Sequence, residues 1–183
     1  TAFLFLTYKK NTINIIKKSG FPAIVAGLFL SLSFVAYVVA MSKTTVANVV
    51  FIISTQTIFL ALFGFLFLKE KITFKGLIAI TLAFVGMLVM VGDSINQGTL
   101  FGNIVAFAIP INFTILVMII RKFPDLDMVP AIFYSGIFSG IYGLVLASNL
   151  TFSSNDILMG FLLGVPQLAF GFICVTKGTK TTK

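Results

Sequence analysis

Three side-chain amides and a cluster of hydroxyls fall where an apolar sequence offers them no obvious partner. Gln56 lies in "ISTQTIFLAL" beside Ser54, Thr55 and Thr57, at the middle of the apolar run Val46–Leu68. Asn112 stands two residues after Pro110, and Gln167 directly follows Pro166, in two further apolar runs. Ser and Thr can hide by bonding their own helix carbonyls one turn back, at i−4, and that is expected of Ser54, Thr55 and Thr57. An amide has two donors and an acceptor and hides less easily. Gln56 therefore either bonds another helix, an interaction of about 0.6–2 kcal/mol, or faces a wet cavity. A proline inside a helix removes one hydrogen bond and frees a carbonyl a turn back, here at Ala106 and Leu162. Kinks at Pro110 and Pro166 would thus set free acceptors near the amide donors at one depth. Kinks packed quietly against neighbouring helices are the plainer alternative.

Reactive chemistry is scarce by comparison. The chain has no His and one Cys, Cys174, which lies in an apolar run, so an internal disulfide is excluded and no metal or cofactor site is expected. Asp125 and Asp127 in "FPDLDM" are the close acid pair, and acids two apart at a helix end could hold a metal–diphosphate. A turn started by Pro-Asp explains them more simply. An integral membrane enzyme using Asp125 and Asp127 is accordingly the weakest of the alternatives.

The elements that must position these residues follow from composition. Of the 183 residues 58% are hydrophobic and 10% charged, with a mean hydropathy of +1.11. A soluble domain is about 45–50% apolar and about 25% charged. Apolar runs of membrane-crossing length cover Phe21–Met41, Val46–Leu68, Phe74–Gly92, Leu100–Ile120, Val129–Ala147 and Ile157–Val175. In lipid each unpaired backbone group costs several kcal/mol, so these six spans are expected to be helices of an all-α, multi-pass bundle. Threading them alternately puts twelve of the thirteen Lys and Arg on one face and Lys43 alone on the other. That asymmetry makes the lysine-rich loops cytoplasmic, and a cell (inner) membrane is the expected location. It also accounts for the net charge of +8 without nucleic acid as a partner.

Small residues supply expected packing faces. Gly76, Ala79, Ala83 and Gly86 recur at helical spacing, as do Gly136, Gly140, Gly143 and Ala147, and again Gly160, Gly164 and Gly171. Such stripes let helix backbones approach closely. An internal echo adds a constraint. "GLFLSLSFVAY" from Gly27 aligns with "GFLLGVPQLAF" from Gly160, and because these are the first and sixth spans they cross in opposite directions. Inverted repeats of this kind build secondary transporters, with the substrate near the midplane.

The stretch from Thr45 to Asp93 resembles the fourth and fifth helices of EamA-type permeases of the drug/metabolite transporter superfamily. The motif is an apolar helix ending in Leu68-Lys69-Glu70, a short turn over Lys71–Thr73, and a small-residue helix ending near Gly86-Met87-Leu88-Val89. "GVPQLAFGFICVTKGTK" is similar to the eighth helix of that family. The resemblance implies ten helices in two inverted five-helix repeats. On that template residues 1–92 hold the end of helix two through helix five, and residues 93–183 hold helices six to eight. With "TAFLFLTY" as a partial helix at the start, the chain reads as a piece truncated at both ends. The family commonly has Pro thirteen residues before Glu70, and Thr57 stands there instead, which leaves open whether this helix bends.

The resemblance implies a carrier of a small-molecule solute in the lipid bilayer, working by alternating access. The neutral polar lining expected of Gln56, Thr57, Asn112, Gln167 and Tyr37 favours a neutral or zwitterionic solute, such as an amino acid. A homodimer is compatible with the sequence. No acid lies inside a span, so ion coupling would fall to residues in the missing helices or to Glu70 at the membrane edge, or be absent. A membrane protein of structural or assembly function, with no transport, is the principal alternative.

Overall fold

The computed structural model describes residues 12–69, 73–96, 99–146 and 153–162, together with 164, 171, 174–175 and 178. The described residues form seven main helices and no strand. These are α1 (Thr12–Lys43), α2 (Val46–Ser54), α3 (Gln56–Leu68), α4 (Phe74–Asn96), α5 (Leu100–Lys122), α6 (Val129–Leu146) and α7 (Ser154–Leu162). Lys17–Lys43, Val46–Leu68, Leu100–Lys122 and Val129–Leu146 are long and apolar enough to cross a membrane. Phe74–Gly86 is a shorter apolar helical stretch. The chain is the all-α polytopic bundle that its apolar runs imply. The sixth expected span, Ile157–Val175, is described mainly over its first turns, in α7.

Local chemistry sets the helix ends. Thr45 is extended and its Oγ1 accepts from the Asn48 backbone N–H at 3.3 Å, which starts α2. At the far end of α3, Lys69 adopts the left-handed conformation (φ 56°), and its N–H bonds the Gly64 carbonyl. Thr73 Oγ1 accepts from Gly76 N at 3.3 Å and starts α4. The first span begins earlier than Phe21. Helix α1 reaches back to Thr12 and is broken at Gly20, where φ is 51° and ψ is −148°. A side chain rarely adopts that conformation, so glycine marks the break between the exposed Lys17–Lys18 turn and the apolar helix. Pro22 falls in the first turn after the break, where its missing N–H costs least.

Two compact units make up the chain, one from Thr1–Ser31 with Ile119–Lys183, the other Leu32–Met118. In the first, Ser19 is buried and its Oγ donates to the Asp127 carbonyl at 2.6 Å. Gly27 of α1 presses on α6: a Cβ there would lie 2.6 Å from Tyr134 Cβ and 2.7 Å from the Ala131 carbonyl oxygen. In the second, Ala36 and Ala40 of α1, Val49 and Ile52 of α2, and Ala106 and Ile109 of α5 form one core cluster. Gly102 at the start of α5 is as tight as Gly27, its would-be Cβ 2.6 Å from the Lys43 carbonyl carbon.

These two contacts correct the expectation built on small-residue stripes. Among the described residues, nothing lies within 4 Å of where a Cβ would be at Gly136, Gly140, Gly143, Gly160, Gly164 and Gly171, and Gly86 meets only Phe51 Cζ at 3.8 Å. Spacing reveals that a face is small but not what lies opposite it. The close approaches occur instead at single glycines. Large apolar side chains such as Val38, Phe67, Leu82 and Val89 are exposed, as lipid-facing residues should be, since lipid tails are as apolar as they are.

Candidate functional site

The membrane-length segment Val46–Leu68 is not one continuous helix. It breaks at Thr55, between α2 and α3, in the middle of the polar cluster. Thr55 stays near helical dihedrals (φ −69°, ψ −5°), but its N–H bonds Ile52 O at 3.1 Å and Ile58 N bonds Thr55 O at 2.9 Å. Both are i→i+3 closures, so the chain tightens to a 3₁₀-like turn there. The hydroxyls accommodate the tightening. Ser54 Oγ donates to Phe51 O and Thr55 Oγ1 to Ile52 O, each at 2.6 Å, while Thr57 Oγ1 reaches Ser54 O at 3.4 Å. All three bonds run to i−3, not to the expected i−4. The i−3 choice is not special to this turn, since Ser31, Ser42 and Ser135 also donate to i−3 carbonyls, those of Leu28, Val39 and Ile132. Thr81 and Thr114, on regular helix, do bond i−4, to Leu77 O at 2.9 Å and Pro110 O at 2.7 Å. The distortion left open by the absence of proline at position 57 is therefore present as a tightened turn, two residues earlier.

The break leaves Gln56 at the first position of α3. Thr55 is buried, Gln56 half-buried and Thr57 exposed. The Gln56 amide makes no hydrogen bond with another side chain among the described residues. Asn112 on α5 is half-buried in the same unit. Pro110, one turn before Thr114, is fully buried, and the Ile109 carbonyl beside it accepts from Ser33 Oγ at 3.4 Å. Tyr37 of α1 is 40% exposed. Gln56, Thr57, Asn112, Pro110 and Tyr37 thus share one unit, and no hydrogen bond joins any two of them among the described residues. Gln167, Pro166 and the motif acid Glu70 lie outside the described residues.

The Asp125/Asp127 pair has a local role on one side. Asp127 Oδ1 accepts from the Val129 N–H at 3.0 Å, an Asx-type turn that opens α6. No group of three or more His, Cys, Asp or Glu side chains able to hold a metal occurs among the described residues.

A second polar cluster escaped the sequence reading. Asn103 is fully buried. Its Oδ1 accepts from Thr44 Oγ1 at 2.6 Å and from Asn48 Nδ2 at 3.4 Å. Asn48 Nδ2 also reaches Thr44 Oγ1 at 3.1 Å. The cluster ties the α1–α2 connection to the first turn of α5, next to the Gly102 contact. Thr44 and Asn48 stand at i, i+4 and Asn103 follows a glycine, a pattern too weak to single out beside the mid-span amides.

The profile of the EamA-like transporter family matches residues 1–92. No curated protein and no solved structure matches the chain. The match takes in the interrupted Val46–Leu68 segment, the Leu68-Lys69-Glu70 motif and most of α4. A multi-pass helical membrane protein with this profile over half its length belongs to the EamA-like transporter family of the drug/metabolite transporter superfamily.

Proposed function

We propose that the chain is a carrier for a small neutral or zwitterionic solute, of amino-acid type, moved by alternating access. The observation that carries this reading is the break at Thr55, which sets the half-buried Gln56 amide at a helix start within the membrane. A helix start presents unpaired N–H groups, and Gln56 adds two donors and an acceptor beside them. Discontinuous helices of this type line midplane sites in secondary transporters. Asn112, Thr57 and Tyr37 would complete the lining from the same unit, and Gln167 from beyond Pro166. Neutral hydrogen-bonding groups suit a solute whose own charges cancel, because a net charge would find no counter-charge among these residues.

In this reading residues 1–92 form the first repeat and 93–183 the start of the second. The lysine-rich loops then lie on the cytoplasmic side of the cell membrane. Uptake into proteoliposomes tests the solute class. Radiolabelled neutral amino acids should accumulate saturably, with lysine and glutamate excluded. Accumulation of only the charged amino acids would reject a neutral site, and absence of uptake with the whole panel would favour a structural membrane protein.

A further inference from the structure

The polar cluster that the site does not use closes one end of a distinctive seam. Along α1, Ser33, Ala36, Ala40 and Thr44 recur at spacings of three and four, so they share one face. Opposite them on α5 stand Asn103, Ala106 and Ile109. Ala36, Ala40, Ala106 and Ile109 belong to one buried cluster, and Ser33 Oγ touches the Ile109 carbonyl. The facing positions are mostly small, Ala36 and Ala40 of α1 with Ala106 of α5, while Ile109 joins them and Met41, Val105 and Phe107 pack alongside. The seam's Lys43 end is held by hydrogen bonds, from Thr44 and Asn48 to Asn103, over the Gly102–Lys43 backbone contact.

We propose that the Thr44–Asn48–Asn103 cluster is a releasable clasp, and that the α1–α5 seam beneath it is a gate opening toward the Lys43 side of the membrane. The inference rests on the carrier reading and deepens it. Two features separate a clasp from ordinary glue. Thr44 and Asn48 are half-buried at the mouth of the seam, within reach of water, which can replace their bonds to the buried Asn103 as these break. The seam below has alanines at most of its facing positions and carries the Ser33 hydroxyl and the Ile109 carbonyl, polar groups that entering water can solvate. Ser33 lies eleven residues below Thr44, ~16 Å along the helix, which makes it a reporter of opening well inside the gate.

The test is side-specific labelling of a Ser33→Cys thiol with a membrane-impermeant maleimide, in native membranes, with Cys174→Ser removing the other cysteine. A thiol in an apolar seam stays protonated and unreactive, and a wetted one reacts. Adding Asn103→Leu removes the shared acceptor of the clasp. The rate from the Lys43 side should rise at least tenfold, and the rate from the opposite side should not change. Asn48→Ala, which deletes the two weaker bonds, should give a smaller rise in the same direction, and it remains informative if Asn103→Leu does not accumulate. An unchanged rate from the Lys43 side in Asn48→Ala and in any Asn103→Leu that accumulates would overturn the gate. So would an equal rise from both sides, because that is general loosening. No solute enters the measurement, so failure of the clasp and failure of the carrier reading are told apart: the first appears in labelling, the second in uptake.

Discussion

A Cβ on Gly27 would sit 2.6 Å from the Cβ of Tyr134, closer than real Cβ contacts permit. The partner atoms are a Cβ and backbone, not the mobile tip of a side chain, so α1 and α6 must separate to admit one. Gly27→Val should therefore lower the thermal midpoint by several degrees, an overpacking cost of about 1–3 kcal/mol. Gly136→Val, on the same α6 but with nothing within 4 Å of its would-be Cβ among the described residues, should leave the midpoint nearly unchanged. Thermal unfolding in detergent compares them directly. Equal losses in both variants would mean that the stripe packs as its spacing suggests.

Proline should be acceptable at position 57. Thr57 is the second residue of α3, inside its first turn, where backbone N–H groups lack intrahelical partners. Thr57→Pro should fold with a midpoint close to the parent. Ala61→Pro, two turns into the same apolar stretch, deletes a true helix bond and should cost about 3 kcal/mol or more. Similar destabilisation by both substitutions would mean that α2 and α3 are one unbroken helix in the membrane.

The threading of the chain is open to a direct check. Ser42 ends α1 on the face that carries Lys43, and Phe123 follows Arg121 and Lys122 at the end of α5. With α2–α3, α4 and α5 as three crossings between them, they fall on opposite faces. With Cys174→Ser in the background, single cysteines at Ser42→Cys and Phe123→Cys should react with an impermeant reagent from opposite sides, Phe123→Cys from the cytoplasmic one. Reaction of both from the same side would overturn the positive-inside assignment.

The fold was legible because lipid restricts the choices so severely. An apolar run such as Leu100–Ile120 has little alternative to a helix, and α5 (Leu100–Lys122) starts with it and continues through Arg121 and Lys122. The polar cluster at Ser54–Thr57 was legible as an anomaly, and the helix does break inside it. The direction of the hydroxyl bonds was not, because a helical Ser or Thr can reach either carbonyl: Ser135 bonds i−3 and Thr114 bonds i−4. Position 57 carried the family's departure from proline, yet the distortion occurs at Thr55, held by hydroxyl–carbonyl bonds in place of a missing N–H. Gly27 and Gly102 were hidden for a different reason. A lone glycine in an apolar sequence carries no sign of its contact, whereas the regular stripe of Gly136, Gly140 and Gly143 announces a face that meets nothing within the described residues. Asn103 was passed over because its importance comes from Thr44 and Asn48, more than fifty residues away in sequence.

The central claim is that Gln56 faces the solute path and does not serve as a bond between helices. Uptake per folded molecule, measured beside the thermal midpoint for Gln56→Leu, tests it most directly, with Thr57→Val as the comparison. Leu is better tolerated in lipid than Gln, so insertion and abundance should be normal. Gln56→Leu should lose or re-target uptake of neutral amino acids at an almost unchanged midpoint. Thr57→Val, which loses only a 3.4 Å bond to Ser54 O, should change the midpoint little. A Gln56→Leu protein that is less stable by about 1 kcal/mol yet transports normally per folded molecule would contradict the account and make Gln56 a packing residue.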